Sequence, residues 1–349
     1  MSETVRRILH FHFGKEGGAE RFFVNFANEA SQQRWEQKFV IRPDRLWHNE
    51  IAALGQVYCS HNRFDWSALP LRIHLRKLYR SWQPDVVMAW APRAARLLPA
   101  GLSARKVVRL GDFPTHLRYF KNADIIVGNH PGIIDRVREL GWNRETAVIS
   151  NFVKQINPRP IDRSLYSTPQ EAFLLVGGGR FVPRKGLDLL VRAVAAIPDL
   201  WLWLVGDGPE RVELQLLANQ LGVTERIRFL GWQAEAIHYL AAADVFCMPS
   251  RHEPLGNILL EAWQARVPVI STLAEGPRWF ANDGCDALLI EIDDLPALVA
   301  SIQRLREQPD LAQSLIAGGA QRLKTFFSPA AVIDSYASIF NFETGLHYT

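Results

Sequence analysis

Short apolar runs alternate with amphipathic stretches along most of this 349-residue chain, and the alternation occurs twice, on either side of a proline- and serine-rich segment. Before that segment the apolar runs are Arg7 to Phe13, Val40-Ile41, Val57 to Cys59, Pro84 to Trp90, Val107 to Leu110, Ala123 to Asn129 and Val148 to Asn151. After it they are Phe173 to Gly177, Leu200 to Val205, Ile227 to Trp232, Asp244 to Pro249 and Pro268 to Ile270. Runs this short and this apolar read as strands buried on both faces. The stretches between them carry helical spacing, such as Phe22, Phe23, Phe26, Ala27 and Ala30. Strand and helix in alternation give a parallel sheet with helices on both faces. The chain is therefore expected to be α/β, with two doubly wound Rossmann-like domains. The linker composition at 154–170 sets the expected bounds: a first domain over 1–165 and a second over 166–328. No internal sequence repeat relates the two halves.

Composition narrows the class. Hydrophobic residues make up 48% of the chain, enough for two sizeable cores. No apolar run approaches the roughly 20 residues needed to cross a bilayer. Met1 to Thr4 lacks a signal-peptide pattern and leads straight into a strand, and Cys59, Cys247 and Cys285 are scattered. A reducing, cytoplasmic setting is the expectation, with no metal cluster. Charge is uneven: residues 1–150 hold 23 Lys and Arg against 14 Asp and Glu, a net of +9, and residues 151–349 hold 17 against 22, a net of −5. A basic first half suits an anionic partner. Ser67 to Trp82 interleaves Arg72, Arg76, Lys77 and Arg80 with Leu71, Leu75, Leu78, Tyr79 and Trp82. Such a helix is either a core helix with a solvated face or one that docks on an anionic membrane, with Trp66, Tyr79 and Trp82 among the headgroups.

Several loops carry chemistry. Gly14-Lys15-Glu16-Gly17-Gly18 is a glycine-rich turn between the first strand and the first helix, though not G-x-G-x-x-G. Arg180 and Lys185 frame the glycine-containing loop after the strand at 173–177. Two fixed cations facing a helix start can neutralise a leaving diphosphate without a metal. There is no Asp-x-Asp metal clamp in the chain. Gly206 and Gly208 follow the next strand and either shape its turn or approach a nucleotide. The stretch Ser250 to Glu261 joins a strand to a helix through Pro254 and Gly256, with Asn257 as the expected N-cap and glutamates at 253 and 261.

Taken together, these residues resemble the retaining GT-B glycosyltransferases of family 4, the group 1 glycosyl transferases, including those of the bacterial lipopolysaccharide core. Glu253 and Glu261 look like the family's E-x7-E signature. The resemblance implies two domains facing across a cleft, a C-terminal helix from about Pro329 to 349 crossing back to the first domain, and transfer of a hexose-type sugar from a UDP- or GDP-sugar with retention. It implies that Arg180 and Lys185 hold the donor diphosphate, that Glu253 lies near the transferred sugar and that Glu261 takes the ribose hydroxyls. Leu255, Gly256 and Asn257 would contact diphosphate and sugar, Gly17 and Gly18 would close over the donor, and Gly206 and Gly208 would lie by the nucleotide, with Trp232 and Gln233 near the base. No metal and no cofactor beyond the nucleotide-sugar substrate are expected.

One departure concerns the histidine that many members carry in a first-domain loop. Here that loop reads Arg109-Leu110-Gly111-Asp112, so Asp112 is the expected stand-in, as catalytic or positioning carboxylate or merely a turn residue. Arg109 and His116 are the acceptor-side candidates. The implied acceptor is an anionic glycan or lipid-linked glycan of the cell surface, reached from the inner face of the inner membrane, and not a nucleic acid. Two other readings share the architecture: a sugar-nucleotide epimerase, which would convert the nucleotide sugar with no acceptor, and an inactive glycan- or lipid-binding relative, which would bind nucleotide without turnover.

Overall fold

The computed structural model describes residues 6–15, 17–60 and 69–342. They form two compact units, one of residues 1–152 with 329–349 and one of residues 153–328. In the first, β1 (Arg7–His12), β2 (Glu36–Ile41), β3 (Gln56–Cys59), β4 (Val86–Trp90), β5 (Arg105–Leu110), β6 (Ile125–Gly128) and β7 (Glu145–Val148) make one sheet in the order β3-β2-β1-β4-β5-β6-β7. In the second, β8 (Phe173–Gly178), β9 (Leu200–Val205), β10 (Ile227–Gly231), β11 (Val245–Met248), β12 (Val269–Thr272) and β13 (Leu288–Ile290) are ordered β10-β9-β8-β11-β12-β13. Every pairing in both sheets is parallel. These are the two doubly wound Rossmann-like domains expected from the alternation.

The strand order reverses between β1 and β4 in the first sheet and between β8 and β11 in the second. Connections leave those neighbouring strands toward opposite sides, so a crevice opens outside their carboxyl ends, where open α/β sheets take their ligands. The strands read easily because they are buried on both faces: β4 and β11 are buried at every residue. Trp203 on β9 is fully buried, and its indole N–H donates to Thr168 Oγ1 at 2.9 Å.

The helix Gly18–Gln32 buries Phe22, Phe23, Phe26, Ala27 and Ala30, the face its spacing marks. The helix Pro329–Phe340 belongs to the same unit. Tyr336 is fully buried there, 4.8 Å from the Phe26 ring between centroids. The first unit ends at Phe152, before the boundary expected at 165. The linker-like residues that follow are tied into the second unit. Arg159 N–H donates to His238 Nδ1 at 3.0 Å, Ile161 N–H to the His238 carbonyl at 3.2 Å, and Arg163 reaches Asp244 at 3.0 Å.

The helix Leu69–Trp82 corrects one expectation. It buries Leu75, Leu78, Tyr79 and Trp82 and exposes Arg76, Lys77 and Arg80. The Trp82 indole donates to Glu36 Oε1 at 2.8 Å, and the Tyr79 hydroxyl to the Leu97 carbonyl at 3.4 Å. Their polar tips are satisfied inside the unit, so these two rings are core and not membrane-facing. Trp66 lies outside the described residues.

Candidate functional site

The site is built at the reversal point of the second sheet. The loop after β8 runs from Gly179 to Gly186 and starts the helix Leu187–Ala196; the loop after β11 runs from Pro249 to Gly256 and starts the helix Asn257–Gln264. Backbone contact locks the two loops together. Gly186 sits at φ +63°, and a Cβ there would fall 2.1 Å from the Pro249 carbonyl oxygen. Arg251 N–H donates to the Arg184 carbonyl at 2.8 Å. The Arg251 guanidinium then clasps Asp188 at 2.9 Å, Asp293 at 2.7 Å and the Pro183 carbonyl at 2.9 Å.

This clasp brings Lys185 and Glu253 into direct contact as an ion pair, Nζ to Oε2. Glu253 is only 8% exposed, and Ser250 Oγ stands 3.5 Å from the same carboxylate oxygen. The main chain of Glu253 is held from the other side. Its N–H donates to Glu275 Oε2 at 3.0 Å, and its carbonyl accepts from Gly276 N–H at 2.8 Å. Glu275 also faces His252 Nδ1 at 2.9 Å. Burial pushes the Glu275 carboxyl upward, but hydrogen bonds from the Glu253 N–H, from its own N–H and from His252 outweigh that and hold it below the usual range. Arg180 extends into solvent, and its side chain makes no hydrogen bond or ion pair among the described residues.

The helix at 257–264 is capped by Gly256 in the left-handed region at φ +92°, not by Asn257, which is its first helical residue. Met248 Sδ and Cε stand 2.8 Å from where a Cβ of residue 256 would lie. Only glycine fits that turn, which starts the helix at Asn257 directly after the loop. Ile258 packs over Gly178 at the end of β8; Glu261, three residues on, shares that face. Leu255 is buried beneath the turn. Gly206 and Gly208 are needed for close approach. A Cβ at Gly206 would lie 1.9 Å from the Gly179 carbonyl oxygen and one at Gly208 2.4 Å from that of Phe181. They shape the turn that carries the β8 loop. Trp232, after β10, is 58% exposed and does not pack into the core. It follows Gly231, whose carbonyl accepts from Gly206 N–H at 2.8 Å.

Residues 159–322, which hold all of this, match the family model described as glycosyl transferases group 1. Across nearly the whole chain, two Rhizobium meliloti (strain 1021) proteins are similar. The lipopolysaccharide core biosynthesis glycosyltransferase LpsD is 44% identical over 96% of this chain and 98% of its own. LpsE, of the same description, is 45% identical over 95% and 98%. The chain belongs to the group 1 glycosyl transferases. Its fold is that of GT-B enzymes: the crystal structure of Anabaena HepE superposes with a TM-score of 0.81 at 21% identity, covering 97% of this chain and all of that one.

In the first unit of this glycosyltransferase the acceptor-side expectations fare unevenly. Asp112 follows β5, is exposed, and its Oδ1 accepts from Phe113 N–H at 2.8 Å. Arg109 is a correction. It is 2% exposed, lies 4.8 Å over the Phe22 ring, and donates to Asn151 Oδ1. It sits inside the packing of the unit and is not displayed for an acceptor, because its strand position points it under the first helix. His116 is half-buried, with its ring 4.7 Å edge-on from Tyr119, whose hydroxyl accepts from both Arg96 and Arg118. Gly17 caps the helix Gly18–Gln32 at φ +147°, and Glu20 curls back over Gly14 and Gly17, 3.7 Å from His12.

Glu275, His252 and Arg251 were not singled out from sequence. The Arg251-His252 pair beside the first glutamate was the available signal. Among the described residues no group of three or more metal-ligating side chains comes together, and no helix is long and apolar enough to cross a membrane.

Proposed function

We propose that this glycosyltransferase moves a hexose-type sugar from a UDP- or GDP-sugar to an anionic glycan or lipid-linked acceptor of the lipopolysaccharide core, with retention and without a metal. The observation that carries the donor half is the Lys185–Glu253 pair at the reversal point, beside two helix starts and an unengaged Arg180. Helix starts and fixed cations attract phosphate. As the sugar–oxygen bond breaks, charge grows on the diphosphate, and Arg180 and Lys185 are the groups that would stabilise it. A diphosphate oxygen held there would take the proton of the incoming hydroxyl on the same face of the sugar, which is the route to retention. Glu253 would receive sugar hydroxyls, Glu261 the ribose hydroxyls, and Trp232 offers its exposed face to the base. HepE structures hold UDP and UDP-glucose, which supports a nucleotide-sugar donor.

The acceptor half rests on the names of the R. meliloti relatives and on the net charge of +9 over residues 1–150. Arg96 and Arg118 converging on Tyr119 beside His116 are the groups best suited to an acidic acceptor, with Asp112 as the carboxylate to orient its hydroxyl. Arg76, Lys77 and Arg80 form an outward basic face suited to peripheral contact with the inner surface of the inner membrane. The test is incubation with UDP- and GDP-hexoses and truncated lipopolysaccharide core, with and without EDTA. The expected outcome is an α-linked product from an α-linked donor, unchanged by EDTA. An epimerised donor in the absence of acceptor, or a β-linked product, overturns it.

A further inference from the structure

We infer that Glu253 acts as an internal anion on the diphosphate-holding lysine, and that exchange of this contact makes the site discriminate an intact sugar diphosphate from a bare one. The inference rests on the donor reading above. Lys185 Nζ is paired with Glu253 Oε2, and both side chains are largely shielded, at 14% and 10% exposure. Lys185 stands immediately before Gly186, the cap of the helix Leu187–Ala196, where an anion is favoured. The Glu253 carboxylate therefore takes the place on Lys185 that a diphosphate oxygen needs. Shielded ion pairs resist loss of one partner because the other is left as an uncompensated charge. An incoming diphosphate must displace Glu253 and leave its carboxylate without a cation.

Loop movement does not relieve this conflict. The Glu253 main chain is fixed at both ends, its N–H on Glu275 at 3.0 Å and its carbonyl on Gly276 N–H at 2.8 Å. Arg251, two residues before Glu253, is itself anchored to Asp188 and Asp293. What can move is the Glu253 side chain. A sugar diphosphate brings hydroxyl groups that donate to the displaced carboxylate; a bare nucleoside diphosphate brings none there. Intact donor is thus favoured over the leaving diphosphate. Once the sugar has gone to the acceptor, Glu253 loses its hydroxyl partners and reclaims Lys185, which expels the product. No covalent bond is made or broken in the exchange. Glu275 is a positioning residue in this scheme, acting through the Glu253 main chain.

The test is calorimetric titration of the full chain and of Glu253→Gln, which keeps shape and removes charge, with inorganic pyrophosphate, UDP, GDP and the matching UDP- and GDP-hexoses. The expected result is that Glu253→Gln binds pyrophosphate and the accepted nucleoside diphosphate about tenfold or more tightly than the wild type, the scale of one charge-assisted hydrogen bond. The nucleotide sugar gains nothing, so the preference for intact donor collapses. Glu253→Ala should shift diphosphate affinity in the same direction, and in a Lys185→Ala background the Glu253→Gln gain should vanish. Equal or weaker diphosphate binding by a folded Glu253→Gln, with the wild type still binding UDP or GDP, overturns the inference and leaves the donor reading standing. Binding of none of these ligands by either protein overturns both.

Discussion

The Trp90 indole donates to His10 Nδ1 at 3.2 Å, which assigns the ring proton of His10 to Nε2, 3.1 Å from Gln37 Oε1. His10 is stacked on Phe39 and fully buried, and neighbouring His12 is almost so. Burial lowers both pKa values from 6.5 to about 3. A hydrogen bond to Gln37 opposes it for His10; for His12 a backbone hydrogen bond to Trp90 opposes it, while Arg109 and Arg45 add to it. A histidine neutral in the fold and titrating normally when unfolded binds its proton first in the unfolded chain. Stability is then full above about pH 6.5 and is lost as pH falls toward 3, at up to about 1.4 kcal/mol per pH unit for each ring. Urea unfolding of the first unit's transition at pH 7 and pH 5 is expected to show a loss of about 2 kcal/mol per histidine. A His12→Asn variant should show about half the wild-type loss. A pH-independent midpoint would contradict the neutral buried pair.

Arg180 is expected to act when leaving-group charge develops, since its side chain is uncommitted in the structure. Arg180→Ala should lower turnover by about 10²-fold or more, with a smaller effect on donor affinity. EDTA should change nothing. Activity lost in EDTA and restored by magnesium would refute the metal-free clamp.

Glu261 lies in the second turn of a helix whose start is fixed by Gly256 against Met248. Glu261→Ala should weaken binding of the nucleoside diphosphate by roughly 1.5–3 kcal/mol, the worth of hydrogen bonds to a charged acceptor. Calorimetry with the free nucleotide measures it directly, and unchanged affinity removes Glu261 from the ribose.

Asp112 already makes a turn contact through Phe113 N–H, so Asp112→Asn keeps the turn and removes only the charge. Turnover should fall at least tenfold with nucleotide affinity unchanged, as for a carboxylate that orients or deprotonates the acceptor hydroxyl. Turnover close to wild type would make Asp112 a turn residue and move attention to His116.

The basic face of the helix Leu69–Trp82 is expected to bind anionic vesicles at low salt and release them at high salt, at about 1 kcal/mol for each of Arg76, Lys77 and Arg80. Changing all three to Gln should abolish co-sedimentation and leave nucleotide binding intact. Wild-type protein that ignores anionic vesicles would assign the charge to the acceptor alone.

What could be read from sequence follows the physics of each element. β4, β8, β9 and β11 are continuous apolar runs because parallel strands are covered on both faces, and they read plainly. β2 begins with Glu36, Gln37 and Lys38, so only its Val40-Ile41 end showed. The spacing over Ala234 to Ala243 suggests a longer helix than the structure has, which is helical only at Ile237–Leu240. Tyr79 and Trp82 could not be assigned to core or surface by spacing, because each has a polar tip that either setting can satisfy. Around the site, the glycines, Lys185 and Glu253 carried a pattern. Arg251 showed only as a charge next to His252 and Glu253, and Glu275 not at all: their partners, Asp188, Asp293 and the Glu253 N–H, are brought near by tertiary structure alone.

The placement of the helix Pro329–Phe340 within the first unit makes the second unit an insertion in the first. The inserted body is one unbroken length of chain and can reach its native contacts as soon as it has been synthesised. The enclosing body cannot. Phe26 waits for Tyr336, and Trp35 for Phe340, until residues 329–340 have left the ribosome. During synthesis the aromatic seam beneath the first helix therefore stays uncovered longest. A nascent chain stalled before residue 329 is then the species most exposed to aggregation and most in need of a chaperone.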